Sequence, residues 1–224
     1  MTLSIIGRCS KTGQMGIAIS SSSIAVGARC PWLRSKVGAV STQNITLPAL
    51  GPRILDRLQQ GATAETALKA GLDTDDYAAW RQVTVMTTDG QSAFYSGEKT
   101  LGVNNALSGE NCVAAGNLLA NPDVIAAMVQ DFEQRSGHLA DRLIAAMQAG
   151  MSAGGEAGPV HSAALSIVDS PVWPIVDLRV DWTDADPIDE LNKLWQAYQP
   201  QMQDYITRAL DPTQAPSYGV PGDE

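Results

Sequence analysis

Few side chains in this chain have the chemistry of a catalytic centre, and their spacing removes most mechanisms. The 224 residues hold two histidines, His138 and His161, and three scattered cysteines, Cys9, Cys30 and Cys112. There is no HExxH and no CxxC pair, so no metal site built on histidine or cysteine is expected, and no cofactor. No GxSxG elbow presents a serine to a histidine. No glycine-rich loop joins a strand to a helix as a phosphate cradle requires. His138 follows a glycine at a helix junction and reads as exposed, whereas His161 opens a strand. The cysteines read as reduced, buried thiols, and neither Cys30 nor Cys112 has a basic motif beside it to make it a nucleophile.

What remains is Thr2. The opening MTLSIIGRCSKTGQMGIAIS enters an apolar, alternating pattern at once, although terminal residues are usually loose. Methionine aminopeptidases generally accept a small second residue, so removal of Met1 would leave a threonine at the head of the chain. Its own α-amine can then take the hydroxyl proton. An α-amine titrates near ~7.7–8.0, which leaves a neutral fraction at physiological pH, where a general base works best. A strand end also holds a nucleophile rigidly, as catalytic positioning demands. The plainer reading is that Thr2 opens an edge strand behind an initiator that stays in place.

The surrounding pattern supplies such a strand. Residues 2–9 and 14–22 alternate around Lys11-Thr12-Gly13 and predict a hairpin, with a third strand over 37–43. Helices are predicted over 51–60, closed by Gly61, and over 63–73, capped by Thr63. A second hairpin spans 82–97 and turns at Asp89-Gly90, and a strand is expected around 110–117. Asn121-Pro122-Asp123 starts a helix, whose stripe is Val124, Ile125, Met128, Val129 and Phe132. Another helix covers 139–150, strands cover 161–169 and 174–182, and Asp186-Pro187 opens a last amphipathic helix that Pro200 should kink or interrupt. Paired helices between hairpins imply antiparallel sheets. The expected fold class is α+β, a four-layer α/β/β/α sandwich of two antiparallel sheets. One domain is expected over 1–210, with a flexible tail over 211–224.

Composition narrows the functions. A 44% hydrophobic content suits a large core, and no stretch of ~18 apolar residues suits a membrane span. No basic leader precedes the first apolar run, so a cytoplasmic protein is expected. The net charge of −9 argues against a nucleic-acid binder. The charge is uneven: residues 1–60 hold seven cations against one acid, Asp56, while the rest of the chain sums to −15. Solvated surface accounts for this, or else a pocket near the N-terminus that attracts a small anion.

The stretches MTLSIIGR, ISSSSIAVGARCPWLRSKVGAVSTQ, LGPRILDRLQQG, AAGNLLANPDVIAAM, HSAALSIVD and VDLRVD resemble the bacterial family known as domain of unknown function 1028. The blocks match in order and spacing from Met1 to about Leu194. That family is grouped by fold with the N-terminal-nucleophile (Ntn) hydrolases, so the resemblance implies an Ntn-hydrolase-like sandwich with Thr2 as nucleophile and base. It places Ser21 in a strand-two motif, although Ser20 and Ser22 replace that motif's usual flanks of a longer polar and a basic residue. Thr42-Gln43 matches the family's TQ and Gly116-Asn117 its GN. Asn117 is the candidate oxyanion donor, a role worth ~2.7–4 kcal/mol per donor, and Gln43 or Ser21 would orient amine or substrate. Arg34 matches a common arginine and Lys36 stands where small residues are usual; either would supply positive charge near the nucleophile or face solvent.

The expected function is hydrolysis of a C–N bond in a small, amide-like metabolite, with an anionic one favoured by the cationic N-terminal region. The rival is a non-catalytic binding or scaffold protein that keeps Met1. The expected partners are a small-molecule substrate and a second copy of the chain, a homodimer by fold analogy.

Overall fold

In a computed structural model, residues 2–219 are described and form ten β-strands and five α-helices. They are β1 (Thr2–Arg8), β2 (Met15–Ser21), β3 (Pro31–Arg34), β4 (Gly38–Asn44), α1 (Leu50–Gln59), α2 (Ala64–Leu72), β5 (Arg81–Thr87), β6 (Ser92–Ser96), β7 (Asn105–Gly109), β8 (Cys112–Asn117), α3 (Asp123–Gln134), α4 (Leu139–Ser152), β9 (Ser162–Val168), β10 (Val176–Val180) and α5 (Pro187–Leu210). Every strand pair is antiparallel, in a six-stranded sheet ordered β10-β9-β2-β1-β8-β7 and a four-stranded sheet ordered β3-β4-β5-β6.

Alternation along each strand sorts its side chains between two layers. On β1, Leu3 and Ile5 face outward into a core shared with Val124, Met128, Phe132, Leu143 and Met147 of α3 and α4. Ile188, Leu191 and Trp195 of α5 complete that layer. On the smaller sheet, Val40, Val83 and Val85 face Leu50, Ile54, Leu55 and Leu68 of α1 and α2. The opposite faces meet each other: Ile6, Met15, Ile17 and Val113 pack against Ala39 and Met86. Central strands are thus covered on both sides and read as nearly continuous apolar runs.

The helices approach β1 and β2 closely because the register pairs Gly7 with Gly16. A Cβ on Gly7 would lie 2.6 Å from the Phe132 ring, and one on Gly16 would lie 2.7 Å from Leu143 Cδ1. The helix starts follow their caps. Thr63 Oγ1 accepts from Thr66 N at 3.2 Å, Asn121 Oδ1 from Asp123 N at 2.9 Å, and Asp186 Oδ1 from Ile188 N at 2.8 Å.

Two expectations need correction. Pro200 does not interrupt α5, which continues to Leu210; Pro200 and Gln196, whose carbonyl loses its partner, both lie on the exposed face. His138 is half-buried, caps α4 through Nδ1 to Ala140 N at 3.1 Å, and stacks on Trp195. In the tail expected over 211–224, Pro212–Gln214 forms a 3-10 turn and the Arg208 guanidinium lies 3.7 Å from the Tyr218 ring centroid; residues 220–224 lie outside the described residues. Two short edge strands, β3 and β7, had not been expected. No helix among the described residues is long and apolar enough to cross a membrane.

Candidate functional site

The space between the sheets changes character along its length. Beyond Ile6 and Met86, the same inward-facing positions carry Thr2, Ser4, Ser21, Ser41, Gln43, Gln82, Thr84 and Asn117, all buried. Strand pairing gathers them. Thr2 lies at the head of β1, opposite Ser21 on one side and Asn117 on the other. Its hydroxyl is 3.3 Å from Ser21 Oγ, and Ser21 Oγ also accepts from Ser23 N at 3.1 Å.

Amides on both sheets knit the two together. Gln43 Nε2 donates to the Ala115 carbonyl at 3.1 Å and to Gln82 Oε1 at 2.8 Å. Gln43 Oε1 accepts from Ser4 Oγ at 2.6 Å. Gln82 Nε2 donates to the Gly116 carbonyl at 3.0 Å, and Gln82 Oε1 accepts from Asn117 Nδ2 at 3.1 Å. The backbone carbonyls fix which end of each amide is which, since a carbonyl only accepts. Asn117 therefore commits its nitrogen to Gln82, and its Oδ1 has no hydrogen-bond partner among the described residues.

A loop closes the site. Leu118 has φ 51°, a left-handed bulge just after Asn117. Leu118 N and Leu119 N then donate to Leu101 O and Val103 O, on the edge that β7 occupies. The other edge of the extended β8 belongs to β1 as far as Thr2. Past Thr2 it is taken by the segment 155–157: Ala120 N donates to Gly155 O at 3.0 Å, Ala157 N to Leu118 O at 2.9 Å, and Leu119 pairs with Glu156. Glu156 thus stands in line with the head of β1. It is 6% exposed, and neither carboxylate oxygen has a hydrogen-bond partner among the described residues. Burial pushes this carboxyl up to about 8, against the pull of positive charge at the amino terminus and, after it, of the Ser22 N–H.

The structure brings Thr2, Ser21, Gln43 and Asn117 together. It does not bring Arg34 and Lys36 to them. Arg34 pairs with Gly38 at the other end of β4, about 16 Å from Gln43 by strand rise, and its guanidinium binds Asp56 and Gln59 on the surface. Lys36 is exposed and lines a cleft of about 290 Å3 with Thr12, Thr88 and Asp169. Both precede β4, whose far end carries Gln43, so their nearness in sequence misleads. Ser20 faces away from Thr2 and donates to Ser162 O at 3.0 Å.

His161 N donates to Ser21 O at 2.9 Å, which puts its backbone near the site. Its ring is engaged elsewhere, with Nδ1 2.8 Å from Thr183 O and a stacking contact on Trp182. Burial pushes the Cys30 thiol up to about 11 and the Cys112 thiol up to about 12, which suppresses thiolate. Among the described residues, no three His, Cys, Asp or Glu side chains gather as metal ligands. Gln82 and Glu156 went unnoticed in the sequence. Gln82 is a polar residue at an inward position of a strand otherwise rich in valine, a detectable signal, whereas Glu156 sits in a glycine-rich loop that carries none.

Comparison with known proteins gives the family. The model of the family described as "Family of unknown function (DUF1028)" matches residues 2–191. The crystal structure of protein SPO2555 from Silicibacter pomeroyi, of that family, is similar with a TM-score of 0.85 and 27% identity, covering 91% of this chain and 89% of that one. Anbu (ancestral beta-subunit) from Yersinia bercovieri has a TM-score of 0.40 and 11% identity over 97% of this chain and 100% of that one, a likeness too low to carry an argument. No curated protein matches the chain.

Proposed function

The chain belongs to the DUF1028 family, and from that premise we propose that it is an N-terminal-nucleophile hydrolase that cleaves a C–N bond in a small amide. The observation that carries this reading is the placement of the Thr2 hydroxyl. It is buried at the head of a central strand, 3.3 Å from Ser21 Oγ and in register with Asn117, where the inter-sheet layer turns polar.

Once the residue ahead of Thr2 is removed, its α-amine takes the hydroxyl proton and Oγ1 attacks the amide carbon. The C–N bond breaks as that proton passes to the leaving nitrogen, and water then hydrolyses the ester. Ser21 orients the hydroxyl. The network modifies the part assigned to Asn117. One hydrogen of Nδ2 is held by Gln82, so oxyanion stabilisation through this side chain rests on the second hydrogen, while Oδ1 accepts from a donor. With Arg34 and Lys36 at the far end and Glu156 beside Thr2, the bias toward an anionic substrate loses its carriers. A neutral or amine-bearing amide suits the site better.

The test compares protein beginning at Thr2 with its Thr2→Ala variant across a panel of small amides, read by mass spectrometry of products. Loss of at least about a thousandfold in turnover is expected when the nucleophile is removed. Undiminished turnover in the variant overturns the mechanism. Intact mass of protein from its own cells separates this reading from the binding-protein rival, which requires the residue ahead of Thr2 to be retained.

A further inference from the structure

Near the head of β1 two buried side chains carry acceptors without a hydrogen-bond partner among the described residues, Asn117 Oδ1 and both oxygens of Glu156. Such groups are normally satisfied, and an isolated buried carboxylate is among the most costly to leave alone. Along β8 the two positions bracket the head of β1. Asn117 is opposite Thr2 on β8, and Glu156 is opposite Leu119, two residues further along the same strand. Because β1 runs antiparallel to β8, the backbone nitrogen of Thr2 lies on the side of its Cα toward Leu119. A group that satisfies three acceptors there brings donors and positive charge.

We propose that Glu156 is the seat of the α-ammonium that Thr2 carries when it heads the chain, with Asn117 Oδ1 accepting a second of its hydrogens. An ammonium has three donors and no acceptor, which complements this set. Glu156 is then a positioning residue. It holds the amine against the end of β1, beside the hydroxyl whose proton the amine must take, and it shares a proton with that amine, –NH3+···–OOC exchanging with –NH2···HOOC–. Burial raises the Glu156 carboxyl and positive charge at the amino terminus opposes that rise, as a seat for an ammonium requires. The inference rests on the N-terminal-nucleophile reading only in requiring a free Thr2 amine, and it can be tested apart from turnover.

In protein beginning at Thr2, the unmodified α-amine is titrated by NMR of 15N-threonine-labelled protein, with and without Glu156→Gln. With the carboxylate present the amine should titrate above its ordinary ~7.7–8.0. Without it, the midpoint should fall by about one pH unit or more, as expected when an opposite charge within a few ångströms is lost. Equal midpoints overturn the proposal. A second readout is thermal stability. With the amine acetylated, Glu156 is a buried acid whose folded pKa lies above its unfolded value. Its stability is full below the unfolded pKa and is lost as pH rises toward the raised folded pKa, so Glu156→Gln should raise the Tm at pH 9. With the amine free, the same substitution should lower the Tm at pH 7, and absence of this reversal also overturns the proposal. If Glu156→Gln does not fold, Glu156→Asp, which withdraws the carboxylate by one methylene, must give an intermediate midpoint. Matching midpoints together with an inactive Thr2→Ala remove the seat and leave the hydrolase; a shifted midpoint with an active Thr2→Ala does the opposite.

Discussion

Ile6 and Thr2 stand on the same face of the same strand, yet they belong to different halves of the layer between the sheets. Around Ile6 the layer is closed by Met15, Ile17, Ala39, Met86, Val113 and Val168, shape against shape. Around Thr2 it is closed by hydroxyls and amides that bond across the sheets in a directed sequence, Ser4 to Gln43 to Gln82, with Asn117 joining at the same oxygen. The apolar half is held by burial alone, tolerant of direction. The polar half holds only if each amide is oriented, because every misplaced donor or acceptor there costs its full desolvation. One half fixes the spacing of the sheets, and the other uses that spacing to set the direction of individual atoms.

Substitutions in each half should separate these roles. The largest effect on stability is expected from Ile17→Ala in the apolar half, about 2–5 kcal/mol in urea denaturation, from lost burial plus an unfilled cavity. A loss below the lower limit would mean that this half is not packed as described. Next comes Gln82→Ala, which takes the shared acceptor from Gln43 and Asn117. It should cost about 1–3 kcal/mol and, unlike Ile17→Ala, lower turnover more than stability alone explains, because Asn117 loses its orientation. A purely structural network would show the first change without the second. The smallest effect is expected from Arg34→Ala, whose partner Asp56 is exposed: within about 1 kcal/mol of the parent, with turnover unchanged. A marked loss of turnover there would return Arg34 to the site.

Much of this division can be read in the sequence. The hairpin over residues 2–22, the Thr63, Asn121 and Asp186 caps and the turn at Asp89-Gly90 rest on local chemistry, and each stands where the pattern puts it. What escaped was set by pairing partners and not by local pattern. β3 is four residues long and begins with proline; β7 reads NALSG. Both are edge strands whose pairing partner, and not their own propensity, makes them strands. Thr2 was legible from its own chemistry, and Ser21, Gln43 and Asn117 through the family resemblance; strand pairing and the cross-sheet hydrogen bonds bring them together. Arg34 and Lys36 were misplaced because a one-dimensional distance says nothing about which end of a strand a residue occupies. Glu156 was illegible because its meaning depends on an edge of β8 that no local pattern reveals.

The glycine pair at the other end of β1 bears on all of this. A strand can creep along its neighbours two residues at a time without turning its faces over. Such a creep in β1 would carry Ile5 or Cys9 to the spot under the Phe132 ring that only Gly7 can occupy. The ring acts as a detent, and it indexes the strand from its tail. Thr2 therefore keeps its station through an aromatic contact five residues away, on the far side of the sheet from the hydroxyl it protects.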